Sequence, residues 1–180
     1  MKSKSVFTCS SPSVVLSSPA EFSIEMESRI PSIVKTSKAF SDLFSEAKRG
    51  LKILAPYVDP TFTSLVAAVH CPVKIVTVPC PGRPSRLNPV LKRCSILADL
   101  SVRYLPERRD RALIFQMHSK LIIADCETVQ VAYVGSANLT DTSVHYNLEL
   151  GLMIDDKNTV ADLERIFDFL FDQAVPAKSL

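Results

Sequence analysis

Two runs decide the reading of this chain: His118-Ser119-Lys120-Leu121-Ile122-Ile123-Ala124-Asp125 and Tyr133-Val134-Gly135-Ser136-Ala137-Asn138. Each joins an apolar stretch of strand character to polar side chains at its end. Strands are expected over 112–125 and 128–134. Side chains alternate along a strand, so residues two apart share a face. By that period His118 and Lys120 project together and Ser119 points away. Asp125 faces the opposite side and is expected to be structural, pairing elsewhere in the fold. An imidazole beside an ammonium suits an anionic substrate: the lysine binds a phosphate oxygen while the histidine attacks phosphorus or handles a proton. Gly135 permits a tight backbone approach. Ser136 and Asn138 offer a hydroxyl and an amide to one side, neutral donors for a phosphorane-like transition state. Farther on, Asn147-Leu148-Glu149 opens a strand reaching Ile154. A carboxylate at Glu149 could accept the second ring N–H of His118 and fix its tautomer.

Outward from this segment the chain alternates helical and extended patterns. Residues 33–48 place Phe40, Leu43, Phe44 and Ala47 on one helical stripe, with Gly50 as the expected terminator. Leu51–Leu54 reads as a short buried strand. Asp59 and Pro60 open a helix through Leu65, Val66 and Val69, and residues 73–78 form another strand. Three prolines make Pro79–Pro84 a loop. A helix over 85–97, a strand over 101–105 and a charged connection over 106–111 follow. Residues 158–173 close the chain as an amphipathic helix, apolar at Val160, Leu163, Ile166, Phe167 and Leu170. This alternation predicts an α/β layered domain over 35–180. Residues 1–34, rich in serine, read as a flexible or loosely packed arm with one short strand near Ser13–Leu16.

The 180 residues suffice for a single buried core, and composition excludes wholesale disorder. A net charge of +2 announces no polyanionic partner by itself. Basic residues nevertheless gather at Arg83, Arg86, Lys92, Arg93, Arg103, Arg108, Arg109 and Arg111. Such a stretch is either a solvated face or an anion-binding rim. On the second reading Arg83, Arg86, Arg108, Arg109 and Arg111 are candidate substrate contacts, joined by His145 in the loop after Asn138. His70, at a helix end, is expected to meet that helix's last carbonyls. The five cysteines are odd in number and lack close metal-ligand spacing. They read as reduced thiols in a cytoplasmic protein, and no metal or other cofactor is called for. No apolar run is long enough for a signal core or a membrane span, so stable membrane insertion is not expected.

The pattern His118-x-Lys120-x4-Asp125 followed by Gly135-Ser136-x-Asn138 resembles the signature of the phospholipase D superfamily, and Asn147-x-Glu149 its downstream acidic position. The spacing from Asp125 to Gly135 is longer than members commonly show, which implies a longer hairpin at 126–131. The resemblance implies a phospholipase D-like fold, a mixed β-sheet flanked by helices on both faces, with one motif per chain. It further implies a metal-free reaction through a phosphohistidine, in which two motifs build one site. His118, Lys120, Ser136, Asn138 and Glu149 would carry the chemistry. A chain with one motif is then expected to act as a homodimer, its site on the twofold axis.

Two substrate classes fit such a site. A nuclease needs a basic cleft that tracks the nucleic-acid backbone, and a phospholipase needs an apolar entry or a membrane-attached helix. The basic stretch and the lack of an anchor favour DNA or RNA, with a phosphatidyl lipid as the alternative. A non-catalytic nucleic-acid-binding module is the third reading.

Overall fold

The computed structural model describes residues 11–79, 89–105, 108–109, 112–113 and 115–177. In chain order the elements are β1 (Ser13–Ser17), α1 (Ala20–Arg29), β2 (Val34–Lys35), α2 (Thr36–Glu46), β3 (Gly50–Leu54), α3 (Pro60–Val66), β4 (Val73–Thr77), α4 (Pro89–Cys94) and β5 (Leu100–Tyr104). They continue with β6 (Arg108–Arg109), β7 (Ala112–Leu113), β8 (Lys120–Asp125), β9 (Gln130–Gly135), α5 (Asp141–His145), β10 (Glu149–Ile154), α6 (Lys157–Gln173) and β11 (Val175–Pro176).

Nine strands form one mixed sheet in the order β11-β5-β4-β3-β8-β9-β10-β1-β2, and β6 and β7 form a separate hairpin. β3, β4 and β5 run parallel, as the helical crossovers α3 and α4 require. β8, β9 and β10 run as an antiparallel meander from β3. This geometry brings the N-terminus of β8, the C-terminus of β9 and the N-terminus of β10 to the sheet end where β3, β4 and β5 finish.

Alternation along the strands builds two cores. On one face Leu51, Ile53, Val73, Ile75, Ile122, Ala124 and Tyr133 pack against Phe40, Leu43 and Phe44 of α2, Phe62 and Val66 of α3, and Leu91 of α4. On the other, Leu54, Val76, Leu121, Ile123 and Ala132 meet Val160, Phe167 and Phe171 of α6. Each fully buried side chain of this size contributes about 1.5–3 kcal/mol of hydrophobic free energy. The expected α/β sheet with helices on both faces is therefore the fold observed. Caps fix the helix starts: the Asp59 carboxylate accepts from Thr61 N ahead of α3, and Asp156 accepts from Thr159 N ahead of α6, both at 2.8 Å.

Several elements differ from the sequence expectation. The short strand expected near Ser13–Leu16 is present as β1, but it is not loosely packed: it pairs with β10 over five residues, its Val15 and Leu16 are buried, and its Ser17 hydroxyl donates to Thr36 Oγ1 at 2.6 Å. Serine content marks an arm only while its hydroxyls lack partners, and here a buried threonine supplies one. Helix α2 starts at Thr36, because Val34 and Lys35 pair with β1. Gly50 starts β3 instead of ending α2. The strand expected over 112–125 is interrupted: β7 ends at Leu113 and β8 starts at Lys120. Both neighbours of β8 stop there, β3 at Leu54 opposite Leu121 and β9 at Gly135 opposite Lys120, so residues 115–119 have no ladder to join. In α6, Ile166 is 54% exposed and lies outside the buried stripe.

Candidate active site

Lys120 opens β8 with its Cα opposite Gly135, so its ammonium lies at the sheet end beside the turn that follows β9. Only 4% of Lys120 is exposed. Burial pushes its pKa below the ordinary lysine range, and the Glu149 carboxylate opposes that shift. Its Nζ donates to the backbone oxygen of His118 at 2.6 Å. Among the described residues the ammonium makes this one hydrogen bond, which leaves two of its three protons for an anion.

His118 precedes the strand, and its ring is exposed. No hydrogen bond joins that ring to Glu149 or to another described residue. The expectation that His118 and Lys120 share a strand face is thus replaced by a different linkage. The backbone of His118 is held by the side chain of Lys120, which sets where the imidazole leaves the chain. The expected His118–Glu149 contact is likewise corrected. The Glu149 carboxylate takes the Ser136 hydroxyl on Oε2 at 2.5 Å and the Asn147 amide on Oε1 at 3.0 Å. Ser136 Oγ also accepts from Leu150 N at 3.1 Å, and Ser136 N donates to Leu150 O. Ser136 and Glu149 therefore form a cross-strand clasp between β9 and β10.

Asn138 lies in the turn after β9. Its Oδ1 is buried with no hydrogen-bond partner among the described residues. A buried acceptor left so costs about 1–3 kcal/mol, which a donor arriving with substrate or a second subunit would recover.

Tyr133, which sequence reasoning did not single out, is 1% exposed, and its Oη accepts from Ala137 N at 3.3 Å. Its ring stands edge-on to Phe40, with centroids 4.9 Å apart. Burial pushes the phenol up to about 12, so it stays protonated. The ring lies across two facing glycines, Gly135 and Gly151. A Cβ on Gly151 would stand 2.3 Å from the ring, and one on Gly135 would stand 2.3 Å from the phenol oxygen and 2.7 Å from Leu150 O. The close approach expected at Gly135 thus has named partners. The spacing of Tyr133 from Gly135 was the available signal, but the facing Gly151 depends on strand register.

Asp125 is at the far end of β8. Its Oδ1 accepts from Arg49 Nη2 at 2.6 Å and Nε at 2.9 Å, and its backbone oxygen accepts from Lys48 and Arg49. His145 ends α5, with Nδ1 2.9 Å from Asp141 Oδ1. It lines a cleft of about 210 Å³ with Ser17, Ser18, Lys35 and Ser37. Arg83, Arg86 and Arg111 lie outside the described residues, and Arg108 and Arg109 are placed only as the strand β6. His70 is exposed after α3. Cys71, Cys94 and Cys126 are buried free thiols whose pKa burial raises, that of Cys126 to about 11. No group of metal-binding side chains occurs among the described residues, and no described helix is long and apolar enough to cross a membrane.

A family model described as "Cardiolipin synthase, PLD-like domain" matches residues 40–171, most of the chain. The chain belongs to the phospholipase D superfamily. It is an enzyme of that superfamily of phosphodiesterases. Solved phospholipase D-like structures agree in fold. NucT from Helicobacter pylori is 16% identical with a TM-score of 0.68, over 92% of this chain and 98% of that one. Nuc from Salmonella typhimurium, a phospholipase D family member, is 20% identical with a TM-score of 0.61, over 94% and 100%. The phosphatidylserine synthase of Haemophilus influenzae is 14% identical with a TM-score of 0.62, over 92% of this chain but 39% of that one. No curated protein sequence matches the chain.

Proposed function

We propose that this chain is a metal-independent nuclease that cleaves DNA or RNA through a phosphohistidine, in an active site shared by two copies. The observation that carries the reading is the buried Lys120 ammonium at the sheet end, hydrogen-bonded to the backbone of an exposed His118, with the unpartnered Asn138 carbonyl in the adjoining turn.

His118 of one copy attacks phosphorus and forms the P–N bond. His118 of the second copy, protonated, gives its proton to the leaving oxygen as the P–O bond breaks. Water then attacks the phosphohistidine, the second histidine takes its proton, and the first imidazole is released. Lys120 and Asn138 from both copies hold the nonbridging oxygens, where positioning and charge supply most of the acceleration. Ser136 and Glu149 keep the turn in register, and the arginines between Arg83 and Arg111, with His145, contact the strand flanking the scissile bond.

The sheet face beside the site supports the paired arrangement. Leu150 and Leu152 of β10 are 60% and 42% exposed where α6 no longer covers the sheet, and Val14 of β1 lies opposite Leu152. This apolar strip begins next to Glu149, as a surface meeting its own copy near the site requires. The buried free thiols fit a reducing compartment such as the cytoplasm.

Purified protein should cleave a single- or double-stranded oligonucleotide in excess chelator, and His118→Ala should not. Unchanged cleavage by that variant, or strict dependence on a divalent ion, would overturn the mechanism. An active, strictly monomeric species would overturn the shared site. A second reading, phosphatidyl-lipid chemistry, draws on Phe22 and Ile24 of α1, 57% and 79% exposed. Hydrolysis of a phosphatidyl lipid with no action on nucleic acid would establish it instead.

A further inference from the structure

The turn that carries Asn138 is tied to a distant loop by backbone bonds and by one carboxylate. Asp59, half-buried after β3, uses each oxygen for a different helix. Oδ1 accepts from Thr61 N at 2.8 Å and caps α3. Oδ2 accepts at 2.7 Å from Asp141 N, the first residue of α5, 82 positions away. The backbone N–H of Asp59 also donates to Leu139 O at 3.1 Å, and Val58 bridges Leu139 in parallel. Helix α5 begins with Thr140 as its own cap, the hydroxyl accepting from Ser143 N at 3.3 Å. The Asp141 N–H would otherwise be an orphan of the first turn.

From these contacts we infer that Asp59 is a positioning residue that sets Asn138, on the reading that Asn138 grips the phosphate. Asn138 sits between two fixed points. Ala137 N is held by the Tyr133 phenol, and the Leu139 carbonyl and Asp141 N–H are held by Asp59. The Asp59 end is itself rigid, because Asp59 O accepts from Phe62 N and the Phe62 ring is fully buried edge-on to Phe44. Core packing under α3 thereby reaches the turn through Asp59, by its backbone N–H to Leu139 and its side chain to Asp141. A displacement of about 1 Å in such a group costs on the order of 100-fold in rate. Asp59 touches no reacting atom on this account.

Asp59→Ser separates the two duties. A serine still caps α3, but with a single oxygen it cannot also reach Asp141 N. Asp59→Asn keeps the shape and sets an amide N–H against one of the two backbone donors. Both variants should lower kcat for oligonucleotide cleavage by about 10- to 100-fold while KM stays within about threefold. In an Asn138→Ala background, Asp59→Ser should change kcat by less than about twofold, since its effect runs through the missing amide. The Asp141 amide should lose hydrogen-exchange protection in Asp59→Ser. A kcat equal to wild type in both variants, or a fully additive loss in the double variant, would overturn the positioning role. Wild-type protein that cleaves no nucleic acid would instead overturn the functional reading. In that event the Asp141 exchange measurement still decides whether Asp59 holds the turn.

Discussion

The two ends of β8 carry the two charged residues of one motif in opposite circumstances. Lys120 is buried at the site end, its charge opposed by burial and held by a backbone carbonyl. Asp125, at the other end, is partly exposed and answered by Arg49 through two donors. A charge kept in the interior without a directly bound counter-ion is held at a cost to stability, and such groups cluster where chemistry occurs. A charge matched by a flexible surface partner contributes little beyond local order. The same strand thus separates the residue proposed to grip phosphate from a fastening one.

The most direct attempt to break this contrast is Lys120→Met, which keeps the stem and deletes the ammonium. Cleavage should fall by about 100- to 1000-fold, a loss of the size seen when a transition-state charge stabiliser is removed. Urea unfolding at neutral pH should show the variant no less stable than the parent. The pH dependence gives the sign. Because the folded-state pKa of Lys120 is lowered, the protonated side chain penalises folding below that pKa. The penalty disappears as pH rises from the lowered pKa to the ordinary lysine value. The stability advantage of Lys120→Met should therefore shrink with rising pH across that window, and wild-type kcat/KM should fall on its alkaline side over the same range.

A smaller effect is expected from Gly151→Ala. The added methyl meets the Tyr133 ring, which Phe40 prevents from yielding. Overpacking of this kind costs about 1–3 kcal/mol, readable in the urea midpoint. A paired Tyr133→Leu substitution should return part of that loss, because the obstructing ring is gone. The smallest effect is reserved for Asp125→Asn. Its partner Arg49 is largely exposed, so stability should change by less than about 1 kcal/mol and kcat by less than about twofold. A large catalytic loss there would erase the distinction between the two ends of β8.

How much of this was legible in the sequence follows from how local each feature is. The helical stripe Phe40, Leu43, Phe44 and Ala47 is a periodicity within one element, and it forms the core as read. The cap at Asp59 was also local, whereas its second bond to Asp141 joins loops that only the sheet order brings together. The face shared by His118 and Lys120 was argued from strand period, and the strand stops between them because β3 and β9 stop. Alternation in sequence cannot report where a partner strand ends. Glu149 opens its strand as read, but its choice of Ser136 over His118 depends on the β9–β10 register. The short strand near Ser13–Leu16 was legible and is β1, whereas its place beside β10 and the burial of Ser17 against Thr36 depend on partners far along the chain.

The outermost strands of the large sheet are both two-residue stubs, β2 ending in Lys35 and β11 in Pro176. A lysine resists a close neighbouring strand, and a proline has no N–H to offer one. Edge-by-edge growth into ribbons is thereby discouraged at both margins. Any self-association of this chain is thereby left to surfaces other than the two sheet margins.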